Sequence, residues 1–218
     1  MWLTVVVTAL FLGGSIYYVF PKIFADTVYP LPEEVVPDII YCADLFGLDK
    51  PLLAGLIKGE SNFNQHAISR AGASGYAQLM PGTFAGLMRR APELQGLESD
   101  IFNPRSNICA GAAYLAGAMA NYDGDWTASL ISYNGGDGAA RRYLAAKSTS
   151  VLVSETRLYA PKILAAREYY AANYADVLGS KPTSSGVVKS GFTVEKESDK
   201  VNTFWKSFLK DAFAKYIS

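Results

Sequence analysis

Prolines set beside capping residues divide the middle of this chain into helices. Asp49 precedes Lys50-Pro51, Pro81 heads GTFAGLMRRA, and Asn103 precedes Pro104. A proline in a helix's first turn sacrifices nothing, because the N–H it lacks has no intrahelical acceptor there. An Asp or Asn just before it accepts from the orphan N–H groups that follow. These marks predict helices over LLAGLIKGE to Glu60, over GTFAGLMRRA, and over RSNICAGAAYLAGAMANY. Asp125 caps WTASLISYN, and Ser154-Glu155 opens ETRLYAPKILAAREYYAANYADVL. Helical period begins at about Pro37, while residues 61 to 80, rich in Ser, Asn, Gly and Ala, read as loop and short turns. Only Val151-Leu152-Val153 hints at a strand. The expectation is an all-α fold with one domain over residues 30 to 178.

Composition narrows the function. The 218 residues suit one domain with appendages, at about 150 residues per domain. With 50% hydrophobic and 18% charged residues, the chain is too apolar for disorder. Lys+Arg 20 balances Asp+Glu 20, so no bulk charge exists to grip a phosphate backbone, and nucleic acid is not an expected partner. Two cysteines rule out a four-cysteine zinc site, and one histidine rules out the two-histidine zinc helix. No metal or cofactor is expected.

The two ends read differently from the middle. Trp2 to Phe20 (WLTVVVTALFLGGSIYYVF) carries no charge and is long enough to span a hydrocarbon core as a helix. A cleaved signal peptide is the rival reading, but no Lys or Arg precedes the run, and Ile23-Phe24-Ala25 is a poor cleavage site. Residues 1–25 are therefore expected to be a transmembrane anchor or signal anchor, with Tyr17, Tyr18 and Lys22 at the interface. Residues 26 to 33 form a short Pro-containing linker, and 179–200 a Gly/Ser/Lys linker. In 201–218, Phe204, Trp205, Phe208 and Phe213 share a broad apolar face, with lysines elsewhere. Such a segment lies on an anionic membrane, docks on a partner, or packs back on the domain.

Glu60 is the unusual carboxylate. It continues the stripe of Leu53, Leu56 and Ile57, and it falls in a last helical turn, where the dipole disfavours negative charge. Burial and dipole both raise its pKa, as proton donation to a glycosidic oxygen requires. Position alone leaves two readings: such an acid, or an ordinary glutamate at a helix end.

The residues that follow Glu60 separate these readings. ESNFNQHAISRAGASGYAQLMPGT resembles the signature of the family 1 lytic transglycosylases, lysozyme-like cleavers of peptidoglycan: Glu-Ser-x-Phe, then Ala-x-Ser, then Gly-Ala-x-Gly-x-x-Gln-x-x-Pro-x-Thr. Two further blocks follow in order. NICAGAAYLAGAMANYDGDWTASLISYNGGDGAARRY is similar to the helix pair ending in Ala-Tyr-Asn-Ala-Gly, and SETRLY to a Glu-Thr-Arg-x-Tyr block. The resemblance covers about residues 37 to 170 and implies a lysozyme-like fold. It implies that Glu60 is the lone catalytic acid/base, that Ser61 positions the saccharide, and that Gln78 lines the sugar site. By the same resemblance Met80 walls the acetamido-sugar site, Tyr133 and Asn134 form the groove floor, and Glu155 is a supporting residue. The chain departs from the pattern at Tyr76-Ala77, which bears on subsite shape rather than chemistry, more mildly at Ser132 and Gly135, and at Asn64-Gln65, which loosens a turn.

The reaction so implied needs one carboxylate. Glu60 protonates the oxygen between N-acetylmuramic acid and N-acetylglucosamine, then takes the proton of the muramyl 6-hydroxyl, which closes a 1,6-anhydro ring. The nucleophile is tethered, so no water need be activated. The implied partner is the peptidoglycan glycan strand. The expected membrane contact is residues 2–20, with 201–218 a second candidate; the domain is expected to face the wall, in a secretion, conjugation or phage/virion setting. Lys22, by the positive-inside rule, would place the domain in the cytoplasm, but the location of peptidoglycan outweighs one lysine. Alternatives are a goose-type muramidase, for which Asp100 and Asp137 are the nearby second carboxylates, and a glycan-holding assembly component that does not cut.

Other residues read as structural. Cys42 and Cys109, both on expected helices, either pair or form two buried thiols, with the thiols favoured. His66 reads as exposed. Arg89-Arg90 and Arg141-Arg142 read as solvated pairs, the second beside the groove block and within reach of acidic peptide stems. Trp126, Tyr159, Tyr169 and Tyr170 read as core.

Overall fold

Three of the expected helix caps are made by side chains. Asp49 accepts from the Leu52 N–H at 2.8 Å, Asn103 from Ser106 at 3.0 Å, and Asp125 from Ala128 at 2.9 Å. The computed structural model describes residues 29–180. Within them run α1 (Val36–Phe46), α2 (Lys50–Ser61), α3 (Pro81–Arg90), α4 (Pro104–Asn121), α5 (Trp126–Ala146) and α6 (Ser154–Asn173). Short 3-10 turns lie at Glu33–Val35, Pro92–Leu94 and Thr149–Val151. Among the described residues no strand forms; isolated bridges tie Ser74 to Ile68 and to Leu79. The Val151–Val153 alternation is instead the end of a 3-10 turn and the lead into α6. The all-α expectation therefore holds for this part of the chain.

Two boundaries differ from expectation. The helix begun at Trp126 continues past Asn134 to Ala146, across a kink at Gly136, whose φ of 74° and ψ of 169° interrupt the helical path. Only glycine takes that conformation without strain. At α6 the cap position is Val153, which makes no side-chain bond, and Ser154 is already helical.

The core is built on α2. Leu52, Leu53, Leu56 and Ile57 are wholly buried. The helix lies along α6 with close backbone approach, because a Cβ at Gly55 would sit 2.9 Å from the Ile163 carbonyl oxygen. One turn later, a Cβ at Gly59 would run into Ile163 Cδ1. Removing these two Cβ positions lets α6 carry its side chains over the end of α2. Arg167 of α6 reinforces the pairing at the other end: it donates to the capping Asp49 at 3.1 and 3.0 Å and lies 5.2 Å over the Trp126 ring. The core reading of Trp126 and Tyr170 agrees with this packing, Tyr170 being wholly buried.

Cys42 and Cys109 form a disulfide, which corrects the reading as two buried thiols. It joins α1 to α4 with the Cα atoms 4.7 Å apart. The small neighbours Ala43 and Ala110, both fully buried, let the helices cross closely enough for bonding geometry. Among the described residues no free cysteine remains.

The expected anchor over 1–25, the linker beyond Ser180 and the amphipathic segment 201–218 lie outside the described residues. Within the described residues, no helix is long and apolar enough to cross a membrane.

Candidate active site

Glu60 stands in the last turn of α2, at the end of the buried leucine stripe, as expected from its spacing. Burial drives its carboxyl from the ordinary 4.5 up to about 7, and the negative charge of Glu155 adds to the rise. A hydrogen bond donated by the Tyr159 hydroxyl and the positive charge of Lys162 pull in the opposite direction. Lys162 is fixed nearby, its Nζ donating to the Gly59 carbonyl at 2.8 Å. The result is a carboxyl that is protonated through much of the neutral range yet has a hydrogen-bond donor ready for its ionised form. A group that gives a proton and then takes one back requires both states to be accessible.

Tyr159 is core, as read, and does more than fill space. Its ring is buried among the core side chains, and its hydroxyl meets the candidate acid. Apolar periodicity reports where a ring lies and is silent on where its hydroxyl ends. The Tyr in Glu-Thr-Arg-x-Tyr was the available signal. Burial and the Glu60 charge together hold the Tyr159 phenol well above its usual range, so it remains a donor.

Tyr133 lies in the same neighbourhood. Its pKa is raised by burial first and then by the Glu60 charge, and its hydroxyl donates to the Ala77 carbonyl at 2.9 Å. That bond ties α5 to the loop carrying Gln78. The loop is knit from within: Ser74 and Leu79 exchange backbone bonds at 2.9 and 3.1 Å. Gln78 adopts a left-handed φ of 47°, and its side-chain nitrogen donates to the Ala67 and Gly75 carbonyls at 3.0 and 2.9 Å. Asn107, passed over in the sequence, is the hub beneath. Wholly buried, it accepts from the Ala77 N–H at 2.7 Å and donates to the Ser74 and Ile101 carbonyls at 3.1 and 2.7 Å. The signal for it was a lone amide heading the small-residue run ICAGAA.

The remaining candidates are placed as follows. Ser61 follows Glu60 and donates to the Ile57 carbonyl at 3.3 Å. Met80 is exposed at the cap position of α3, next to the Gln78 loop. Asn134 is half-buried beside Tyr133, and Glu155 is exposed in the first turn of α6. The structure thus brings Tyr133, Tyr159, Glu155 and Lys162 within electrostatic reach of Glu60. Asp137 is an exposed carboxylate already committed to other partners: it accepts from Tyr122 at 2.9 Å and Ser132 at 2.8 Å, and those bonds lower its pKa. Asp100 is exposed and accepts from the Phe102 N–H at 2.9 Å. His66 and both arginine pairs are exposed, as expected.

Residues 39–151 match the protein family described as Transglycosylase SLT domain. Among similar proteins, membrane-bound lytic murein transglycosylase C of Histophilus somni is 31% identical over 160 residues, covering 69% of this chain and 44% of that protein. The protein of the same name from Haemophilus ducreyi is 32% identical over 148 residues, covering 63% and 40%. This chain thus spans under half the length of the relatives it matches. The solved structure of lytic transglycosylase Slt from Pseudomonas aeruginosa superposes with a TM-score of 0.60 at 24% identity, over 72% of this chain and 26% of that one, a likeness of fold. The 70 kDa soluble lytic transglycosylase of Escherichia coli gives 0.56 at 27% identity, over 68% and 26%.

Proposed function

The chain belongs to the transglycosylase SLT domain family, and from that premise we propose that residues 30–178 cleave the β-1,4 bond between N-acetylmuramic acid and N-acetylglucosamine in peptidoglycan, leaving a 1,6-anhydro-muramyl end. The observation that carries this reading is Glu60, a carboxyl raised to about 7 with the Tyr159 hydroxyl on it. Protonated Glu60 donates to the glycosidic oxygen as the bond breaks. The resulting carboxylate, now held by Tyr159, accepts the proton of the muramyl 6-hydroxyl as that oxygen closes on the anomeric carbon. The nucleophile belongs to the substrate, so proximity replaces a second carboxylate.

The roles of the other site residues are those that the family resemblance implies. Tyr133 and Asn134 form the groove floor. Gln78, its nitrogen occupied, offers its side-chain oxygen to the sugar. Met80 supplies an exposed apolar wall, Ser61 positions the saccharide beside the acid, and Glu155 holds up the Glu60 pKa. Asp137 speaks against the water-activating muramidase, because its carboxylate is bonded to Tyr122 and Ser132 and its basicity is thereby lowered.

The setting is the wall-facing side of a membrane, with residues 1–25 as anchor and 201–218 as a second membrane or partner contact. Two observations support it: the relatives named membrane-bound, and a disulfide of the sort that persists outside the reducing cytosol. Local opening of the wall for a secretion, conjugation or virion apparatus suits a domain of this size.

Mass spectrometry of muropeptides released from purified peptidoglycan tests the activity. Products about 18 Da lighter than hydrolysed ones, absent with Glu60→Gln, are expected, since an intramolecular attack adds no water. Reducing-end products would replace this reading with a hydrolase, and no cleavage would leave a glycan-binding component.

A further inference from the structure

The chain's lead-in is built into the packing behind the catalytic helix. The Tyr29 ring stacks on Tyr169 with centroids 5.1 Å apart and meets Tyr170 edge-on at 6.3 Å. The Tyr170 hydroxyl donates to the Pro30 carbonyl at 3.1 Å. Leu31, the next residue, is buried. Tyr170 itself is wholly buried, and its ring also meets Phe63 edge-on at 6.3 Å. One aromatic ring therefore touches both residues 29–30 and the turn that leaves α2.

That turn is the part of the site in most need of support. Asn62 and Phe63 are successive non-glycine residues with φ of 54° and 58°, left-handed conformations that persist only where the surroundings impose them. The turn is closed by two backbone bonds, Asn62 N–H to Lys58 at 3.1 Å and Asn64 N–H to Ser61 at 3.1 Å. Between those two acceptors stands Glu60. If Phe63 shifts, the last turn of α2 relaxes toward ordinary helix or coil, and the carboxyl gains water.

We propose that residues 29–31 are a strap that positions the catalytic carboxyl: through Tyr170 and Phe63 they hold the left-handed turn at the end of α2, and with it the depth of Glu60. Tyr29 and Tyr170 are positioning residues that touch no reacting atom. The groups acting on Glu60 are Tyr159, Lys162 and Glu155 of α6, while Tyr133 of α5 faces it and feels its charge; the strap acts by keeping the α6 groups in register with it. Only the kinetic arm of the test below rests on the transglycosylase reading.

The test uses the full chain. The carboxyl carbon of Glu60 is followed by NMR through a pH titration, its signal assigned by its loss in Glu60→Gln, and kcat and KM are measured on peptidoglycan. In Tyr29→Ala the Glu60 titration is expected to fall from about 7 toward 4.5, by roughly half a unit or more as water reaches the carboxyl. kcat should drop several-fold with KM little changed. Tyr29→Phe, which keeps the ring pairs, should restore both. Tyr170→Phe, which cuts only the bond to Pro30, should move the titration the same way by less. A Glu60 titration that is unchanged in Tyr29→Ala, whatever the melting temperature does, overturns the strap and leaves those contacts purely structural. If no peptidoglycan is cleaved even by the native chain, the titration still decides.

Discussion

The Tyr159 hydroxyl of α6 donates to Glu60 of α2, joining residues 99 apart in sequence. The bond favours the carboxylate, whereas burial favours the acid. Tyr159→Phe therefore removes a stabiliser of the charged form, and the Glu60 pKa should rise above about 7. The high-pH limb of kcat/KM should move upward, because the acid stays loaded to higher pH. The maximal rate should fall by about tenfold, since the carboxylate formed after bond cleavage loses its partner. A limb that moves down, or a variant of full activity, would show that the hydroxyl does not govern the acid.

Glu60 also opposes folding at neutral pH. Its carboxyl titrates near 4.5 when unfolded and about 7 when folded. Its contribution to stability is thus fully present below 4.5 and is lost as pH rises through 7. Glu60→Gln removes this dependence. The variant should be more stable than the native chain above pH 7, by about 1–2 kcal/mol once partial solvent exposure is allowed for. The gap should narrow toward pH 4. Urea denaturation at pH 4, 6 and 8 measures it; an advantage that does not change with pH would refute the assignment of the raised pKa.

What could be read without coordinates was local. Asp49, Asn103 and Asp125 signalled their helices because a cap acts within three residues of itself. Glu60 was visible because helical spacing alone puts it on the Leu53, Leu56, Ile57 stripe. The site roles came from block resemblance, and the geometry groups several of those residues around Glu60. What escaped was tertiary. No spacing rule says that Cys42 lies over Cys109, or that a tyrosine counted as core turns its hydroxyl to a carboxylate on another helix. Asn107 escaped for the same reason, since its three bonds reach segments Ser74–Ala77 and Ile101 that only the fold assembles. The helix begun at Trp126 is expected only over WTASLISYN, whereas Gly136 bends it and it resumes to Ala146, which no local signal announces.

The disulfide predicts an oxidation-dependent stability. Cys42 and Cys109 are both fully buried and close a loop with a sequence separation of 67. A Cys42→Ala, Cys109→Ala double variant should be less stable by about 2–4 kcal/mol, chiefly through a less restricted unfolded chain. Its melting temperature should fall by roughly 5–15 °C. The bond's burial means that mild reductant should leave the folded native chain unchanged, with thiols appearing only on addition of denaturant. Thiol titration with and without guanidinium checks this, and free thiols in the native folded chain would contradict it.

Asn107 is a wholly buried amide with three hydrogen bonds to the backbone. Substitution to Ala leaves the Ala77 N–H and the Ser74 and Ile101 carbonyls without their partner, in a place water does not reach. Leaving such groups unsatisfied costs about 2–4 kcal/mol in total. The effect should not stop at stability. Ala77 also accepts the Tyr133 hydroxyl, and the next residue, Gln78, sits at a left-handed φ of 47° that this loop must enforce. Activity should therefore fall by more than the unfolded fraction accounts for, with the loss in KM, because it is the loop proposed to bind the sugar that loosens while the Glu60–Tyr159 pair on α2 and α6 stays in place. The high-pH limb set by Glu60 should not move. Denaturation curves together with a pH profile separate the two effects, and a variant whose pH limb shifts would mean that Asn107 supports the acid itself rather than the loop beside it.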